Sequence, residues 1–447
     1  MFLLLSYFDN AVLGVMLLAL ILWSLFPDKF IISSIVVIIV LVVLQTSVSI
    51  EQLVSSVIST YGAGSLLIII SGFIFAAAMD VSGLAKRLAL KVVSAVGANP
   101  RYILLSVALA NLLIAPLSPS TTAKAVIMLP ICIGLIQAFN AKKGSAYAAS
   151  VMLMCMAANN ICSTAFLTAT VPNPISASYM IDAGLKLSWT EWFVMAFPLT
   201  VVLLIAAWLL IGVMFKFDMK QSKKTLQNII KMKKKLGPMK REEKIVAILF
   251  SIALFLWITD KYNPYNAGLI SLILSLFLFL PMVGIFKNKK FGGMLPWDSL
   301  FVFAAAMYLA KVIEQTKALT PVVRLVLERT GISLPTTVLV ILVVSSGVLL
   351  HVFFTSTTVY ATVIMPVVIA IASIYGMSIG LLALPVAFSV PLALILPVST
   401  IPNIIFYSEG YFSIKQMIKY GIVLSIISII LIMLFGIPYW KFIGLIP

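Results

Sequence analysis

The stretch PSTTAKAVIMLP, Pro119–Pro130, puts three hydroxyl side chains (Ser120, Thr121, Thr122) and an ammonium (Lys124) into surroundings that are almost wholly apolar. Polar groups are costly in hydrocarbon unless they are partnered or used. LIAPLSP leads into the cluster and AVIMLPICIGLI leads out of it. Two apolar arms meeting at a polar point read as a hairpin with its tip at 120–122. Hydroxyls and free amide N–H groups at such a tip can hydrogen-bond a carboxylate or hold a cation through oxygen. A helix restarting after the tip turns its positive end toward an anion. The plain alternative is that the hydroxyls satisfy local backbone inside a bundle.

The pattern returns. STTVYATVIMP runs from Ser356 to Pro366, between VLLHVFF and VIMPVVIAIA. FAAAM occurs at Phe75–Met79 and again at Phe303–Met307. A Pro-Asn pair closes STAFLTATVPNP (Ser163–Pro174) and LPVSTIPN (Leu396–Asn403). Three landmarks in one order, 228 to 236 residues apart, imply an internal duplication. The expected organisation is an N-terminal membrane helix (1–30), a first repeat (31–215), a basic loop (216–244) and a second repeat (245–447) with its tip at 356–358. Duplicated halves with interrupted helices are a transporter arrangement, with the site between the halves. An odd number of crossings in the first repeat would invert the second, and that reading is favoured. Proline removes a donor and breaks a helix. Pro172, Asn173, Pro402 and Asn403 therefore mark breaks, lined by Ser163 and Thr164 in one half and by Ser399 and Thr400 in the other. Ser163 and Ser399 are the candidates for holding a cation; a simple kink with packing is the alternative.

The bulk properties agree. Hydrophobic residues make up 62% of the 447 and charged residues 10%, against about 25% charged in ordinary soluble domains. With a mean hydropathy of +1.17 and apolar segments such as 31–49 and 264–284, an all-α polytopic membrane protein is expected. Barrel strands would alternate in polarity, and these segments do not. The first 30 residues lack a basic start and a small-residue cleavage site, so they read as a membrane helix rather than a signal peptide. The net charge of +17 is concentrated: 11 of the 31 Lys and Arg residues lie between Lys216 and Lys244. That loop is a cytoplasmic topology signal with room for lipid-headgroup contact. It lacks the interleaved aromatics of a nucleic-acid binder. Cys132, Cys155 and Cys162 lie in apolar runs without metal or disulfide spacing and read as packing residues.

No acidic residue falls between Asp80 and Asp182 or between Glu328 and Glu409. Both motif regions therefore lack carboxylates, which suits an anionic ligand and argues against a proton pump built on intramembrane acids. Lys124 would neutralise the anion, replace a coupling cation, or snorkel to the water edge. The single histidine, His351, reads as a packed helix residue. One histidine and no motif-region carboxylates exclude most hydrolytic constellations. A Ser120–Lys124 dyad is disfavoured because the partner motif has no lysine. No cofactor and no metal site are expected.

The two STT hairpins with LP or MP exits, together with LPVSTIPNIIFYSEGYFSIKQMIKYG, resemble the divalent anion:sodium symporter family, the sodium:sulfate/dicarboxylate group, over nearly the whole chain. The resemblance implies eleven transmembrane helices with two re-entrant hairpins, a homodimer, and a transport domain moving like an elevator against a scaffold. It implies that Ser120, Thr121, Thr122, Ser356, Thr357 and Thr358 touch substrate carboxylates. Thr164, Thr400 and the backbone near Ile401 would complete the pocket. The family's hairpin Asn is Thr at Thr121 and Thr357, and the positions four before each motif serine are Pro116 and Val352. These departures place sodium sites in question. SPSTTAK with STAFLTATVPNP looks more like the exchanger branch, which carries citrate/succinate and oxoglutarate/malate and tends to a basic residue near the first tip, as at Lys124. The expectation is di- or tricarboxylate exchange across the cell membrane. Sodium-coupled dicarboxylate or sulfate symport is the alternative, with sodium as the coupled ion.

Overall fold

The computed structural model describes residues 2–26, 29–45, 64–216, 223–259, 267–286, 297–319 and 335–446, with single positions between them. The expected segment ends at 46–48 and 264–266, and Glu328, lie outside these. Among the described residues every regular element is helical. Hydrocarbon forces that outcome, because a backbone without water must satisfy its own N–H and C=O groups.

The first half runs α1 (Phe2–Leu25), α2 (Phe30–Leu44), α3 (Gly64–Ser82), α4 (Leu84–Ala95), α5 (Pro100–Ile114), α6 (Thr121–Ala138), α7 (Ala146–Cys162), α8 (Pro172–Asp182) and α9 (Trp189–Met214). A further helix, α10 (Lys223–Lys234), lies inside the basic loop. The second half runs α11 (Arg241–Ile258), α12 (Ala267–Leu276), α13 (Trp297–Thr316), α14 (Thr336–Leu349), α15 (Thr357–Ile374), α16 (Ile379–Ser389), α17 (Ile401–Ser408), α18 (Ile414–Leu431) and α19 (Ile437–Phe442).

Among the described residues six helical stretches are long and apolar enough to cross a membrane: Pro100–Leu117, Thr121–Ala138, Trp189–Met214, Thr336–Phe353, Thr357–Ile374 and Ile414–Phe442. They fall into three pairs, one member in each half and in the same order. A seventh is counted if α3 and α4 form one span bent by 70°. The bend sits at Gly83, whose φ of +84° is open to glycine at little cost. Shorter apolar helices of 10–17 residues accompany these. Eleven crossings and two re-entrant hairpins stay an expectation, because short helices do not declare by length whether they cross.

The halves interlock. α2 packs on α13 and α12 packs on α3; α6 packs on α17 and α15 packs on α8. Each helix that leaves a tip thus lies against the short helix that follows the other half's break. At the centre is α7, AYAASVMLMCMAANNIC, in which Tyr147 through Cys162 are all buried. Its Ala, Ser and Cys residues let neighbouring helices approach closely, as membrane interiors require.

Candidate functional site

Each tip begins a helix with its own serine. The Ser120 Oγ accepts the Ala123 N–H at 3.1 Å, capping α6. The Ser356 Oγ accepts the Val359 N–H at 3.4 Å, capping α15. Serine at the N-cap satisfies one of the orphan N–H groups of the first turn and leaves the others facing the tip. Ser120, Thr121, Thr122, Ser356, Thr357 and Thr358 are all half-buried. Before each tip the chain tightens into a short 3-10 turn, Ala115–Leu117 in one half and Leu350–Phe353 in the other.

Lys124 is fully withdrawn from solvent, 1% exposed, which overturns the snorkelling alternative. Its ammonium donates to the Ser163 Oγ at 2.9 Å and to the Ala169 carbonyl at 2.7 Å. Both acceptors belong to the unwound segment between α7 and α8. The Ser163 hydroxyl in turn donates to the Asn159 carbonyl at 2.6 Å. The Asn159 Nδ2 returns to the tip, donating to the Thr121 carbonyl at 3.1 Å. Tip and break of the first half are therefore one bonded unit. Lys124 points away from a dyad with Ser120, whose oxygen is engaged as a cap.

Thr164 is buried, with its hydroxyl 2.7 Å from the Ile161 carbonyl and 2.7 Å from the Thr200 Oγ1. The Trp192 Nε1 holds the Thr164 carbonyl at 3.0 Å. In the second half Ser399 and Thr400 are buried, while the Ile401 side chain is 58% exposed. His351 is buried, its Nε2 lying 2.8 Å from the Val390 carbonyl and its ring against Tyr360. Among the described residues no hydrogen bond joins one tip directly to the other.

The breaks are braced alike. The Asn173 Nδ2 donates to the Ser163 and Phe166 carbonyls at 2.7 and 2.8 Å. The Asn403 Nδ2 donates to the Ala393 and Leu396 carbonyls at 2.6 and 3.2 Å. Each asparagine replaces the helical donors lost at its proline. The difference lies in the oxygens. The Asn403 Oδ1 accepts from the Asn160 Nδ2 at 3.0 Å, and that amide also reaches the Ala393 carbonyl at 3.1 Å. The Oδ1 atoms of Asn173 and Asn159 are buried without a partner. Asn160 is thus the bond that crosses from the first half's break to the second's. The Tyr179 hydroxyl makes another crossing, donating to the Thr362 carbonyl at 3.0 Å.

Sequence reasoning passed over Asn159 and Asn160. Their signal was an amide pair at the end of an otherwise apolar, fully buried helix. Asn403→Ala should cost more stability than Asn173→Ala, by about 1–2 kcal/mol, because it also takes from the Asn160 amide one of its two acceptors. Thermal melts of the two purified variants in one detergent would check the order.

Two hydroxyl-bearing helix starts and two bonded chain breaks lie in helical stretches, 81–181 and 329–408, whose sequence carries no carboxylate, an arrangement that fits a membrane transporter. The profile of the family described as the sodium:sulfate symporter transmembrane region matches residues 3–446. The chain belongs to that family, the divalent anion:sodium symporters. It is 31% identical over 405 residues to the sodium-dependent dicarboxylate transporter SdcS of Staphylococcus saprophyticus, covering 85% of this chain and 77% of that one. It is 31% identical over 401 residues to SdcS of Staphylococcus aureus, covering 84% and 76%. Among solved structures, the YdaH transporter of Alcanivorax borkumensis superposes with a TM-score of 0.54 at 15% identity over 89% of this chain and 90% of that one. That last likeness is one of fold.

Proposed function

We propose that the protein moves dicarboxylate or tricarboxylate anions by exchange, the anion lying between the Ser120–Thr122 and Ser356–Thr358 tips. The observation that carries this reading is Lys124. A fixed ammonium already occupies the Ser163 oxygen and the Ala169 carbonyl in a region without acids. It supplies the positive charge that an anion needs and that a symporter would recruit as a cation. The half-buried hydroxyls and the amide N–H groups behind them are the matching hydrogen-bond donors. Alternating access would carry the tips and breaks as one body, consistent with their mutual bonding, past the helices that pack around them; a homodimer would hold the static part. Thr164 would act through its carbonyl or by shaping the pocket, since its hydroxyl is engaged.

A second reading is sodium-coupled dicarboxylate symport. The two related SdcS transporters carry that coupling in their names. The unpartnered, buried oxygens of Asn159 and Asn173 are donors of the type a sodium ion accepts. Counterflow in proteoliposomes separates the readings. Under exchange, labelled succinate, malate or citrate enters only when an internal dicarboxylate is present, with or without sodium. Entry that needs sodium and no internal partner would establish symport instead.

A further inference from the structure

We propose that α10 and the residues following it form a docking surface for anionic phospholipid headgroups, and that this contact keeps the helix seated on the first hairpin. The helix KKTLQNIIKMKK has two sides. Thr225 and Ile229 are buried and Met232 is half-buried, on the side that meets α6 and α4. Met232 lies directly over Gly134 of α6, so close that a methyl group at Gly134 would collide with the methionine's terminal carbon. Gly134 belongs to the same helix as Lys124, and α10 therefore rests on the arm that carries the first tip.

The other side is basic. Lys231, Lys233, Lys234, Lys235, Lys240 and Arg241 are all exposed, and Ile230 and Met239 stand exposed among them. Among the described residues Glu242 is the exposed acid beside them. Lys86 and Lys91 of the neighbouring α4 add two more exposed ammonium groups. Four lysines within five positions repel one another unless counter-charge is present. The placement decides which counter-charge. The segment joins the end of α9 at Met214 to the start of α11 at Arg241, so it lies where membrane helices leave the bilayer. Exposed apolar side chains between lysines suit the boundary of headgroup and acyl chain rather than open water. Anionic lipids attract basic segments at that depth cumulatively, per residue.

The C-terminal end of this segment is clamped. Arg87 of α4 pairs with the Glu243 carboxylate at 2.8 Å. The same guanidinium donates to the carbonyls of Leu236, Gly237 and Pro238 at 3.2, 2.9 and 3.1 Å. The Glu243 carboxylate also accepts the Lys240 N–H at 2.7 Å. With residues 236–243 held on α4, the seating of 223–235 is the part left for the lipid to set.

Hydrogen exchange on the full chain in nanodiscs tests this. Amides of 223–236 should exchange about tenfold more slowly in phosphatidylcholine discs containing phosphatidylglycerol than in phosphatidylcholine alone. The variant carrying Lys231→Gln, Lys233→Gln, Lys234→Gln and Lys235→Gln changes exposed side chains and should fold; its exchange should be the same in both discs. Identical exchange of the unaltered chain in both lipids would overturn the proposal. So would a lipid effect undiminished in the glutamine variant, which would place the recognition elsewhere.

Discussion

Lys124→Met should raise the succinate concentration needed for half-maximal counterflow by about thirtyfold or more, while the protein remains folded. The two halves of that expectation have separate causes. Methionine has similar length and flexibility and fills the same space. The variant loses two hydrogen bonds but also loses the penalty of keeping an ammonium among neutral oxygens. These oppose one another, so the melting temperature should change little. Anion binding has no such compensation, because removing one member of a buried charge pair costs about 2 kcal/mol or more. A further consequence is specific to the exchange reading. Without the ammonium, the Ser163 Oγ and the Ala169 carbonyl, now 2.9 and 2.7 Å from its Nζ, lose the cation that they hold. Under that reading, residual uptake in the variant should gain a sodium dependence absent from the unaltered chain. Initial rates across a sodium series in proteoliposomes measure this. Kinetics unchanged by the substitution would remove Lys124 from the transport cycle.

The helix starts at Ser120 and Ser356 and the breaks before Pro172 and Pro402 were legible in the sequence because hydroxyls, prolines and asparagines stand out against continuous hydrocarbon. The short helix after the second break is Ile401–Ser408. The partners of the site residues were not legible, and the reason is separation along the chain. Lys124 finds Ser163 39 residues away, and Asn160 finds Asn403 243 residues away. Nothing in the local pattern announces those meetings. α10 was hidden for a different reason. Its Ile229 and Met232 are three residues apart, on one helical face, but the lysine run around them reads as a charged loop. The number of crossings was least accessible: α8, α16 and α17 are 11, 11 and 8 residues long, below the length at which hydropathy marks a span. Their ends are set by prolines and by tertiary bonds to the breaks.

Gly421→Ala should abolish most transport, although an alanine in a helix interior ordinarily stabilises it by about 1 kcal/mol relative to glycine. Gly421 is buried in α18, where the helix passes the unwound chain between α16 and α17. A Cβ there would run into the Leu394 carbonyl oxygen and would lie 2.8 Å from the Ile395 Cα. Backbone cannot swing aside as a side chain can, so the added methyl must displace the segment itself. Overpacking of this kind costs about 1–3 kcal/mol. The displaced residues are neighbours of Ala393 and Leu396, whose carbonyls hold Asn403, and they lead into Ser399 and Thr400. Loss of transport by more than about tenfold is therefore expected, larger than the loss of stability alone would give. Gly212 is the internal control. It lies in α9, the corresponding long helix of the first half, and a Cβ there meets nothing within 4 Å. Gly212→Ala should leave counterflow intact and raise the melting temperature slightly. If Gly421→Ala and Gly212→Ala behaved alike in both assays, the close approach of α18 to the second break would have no part in holding the site.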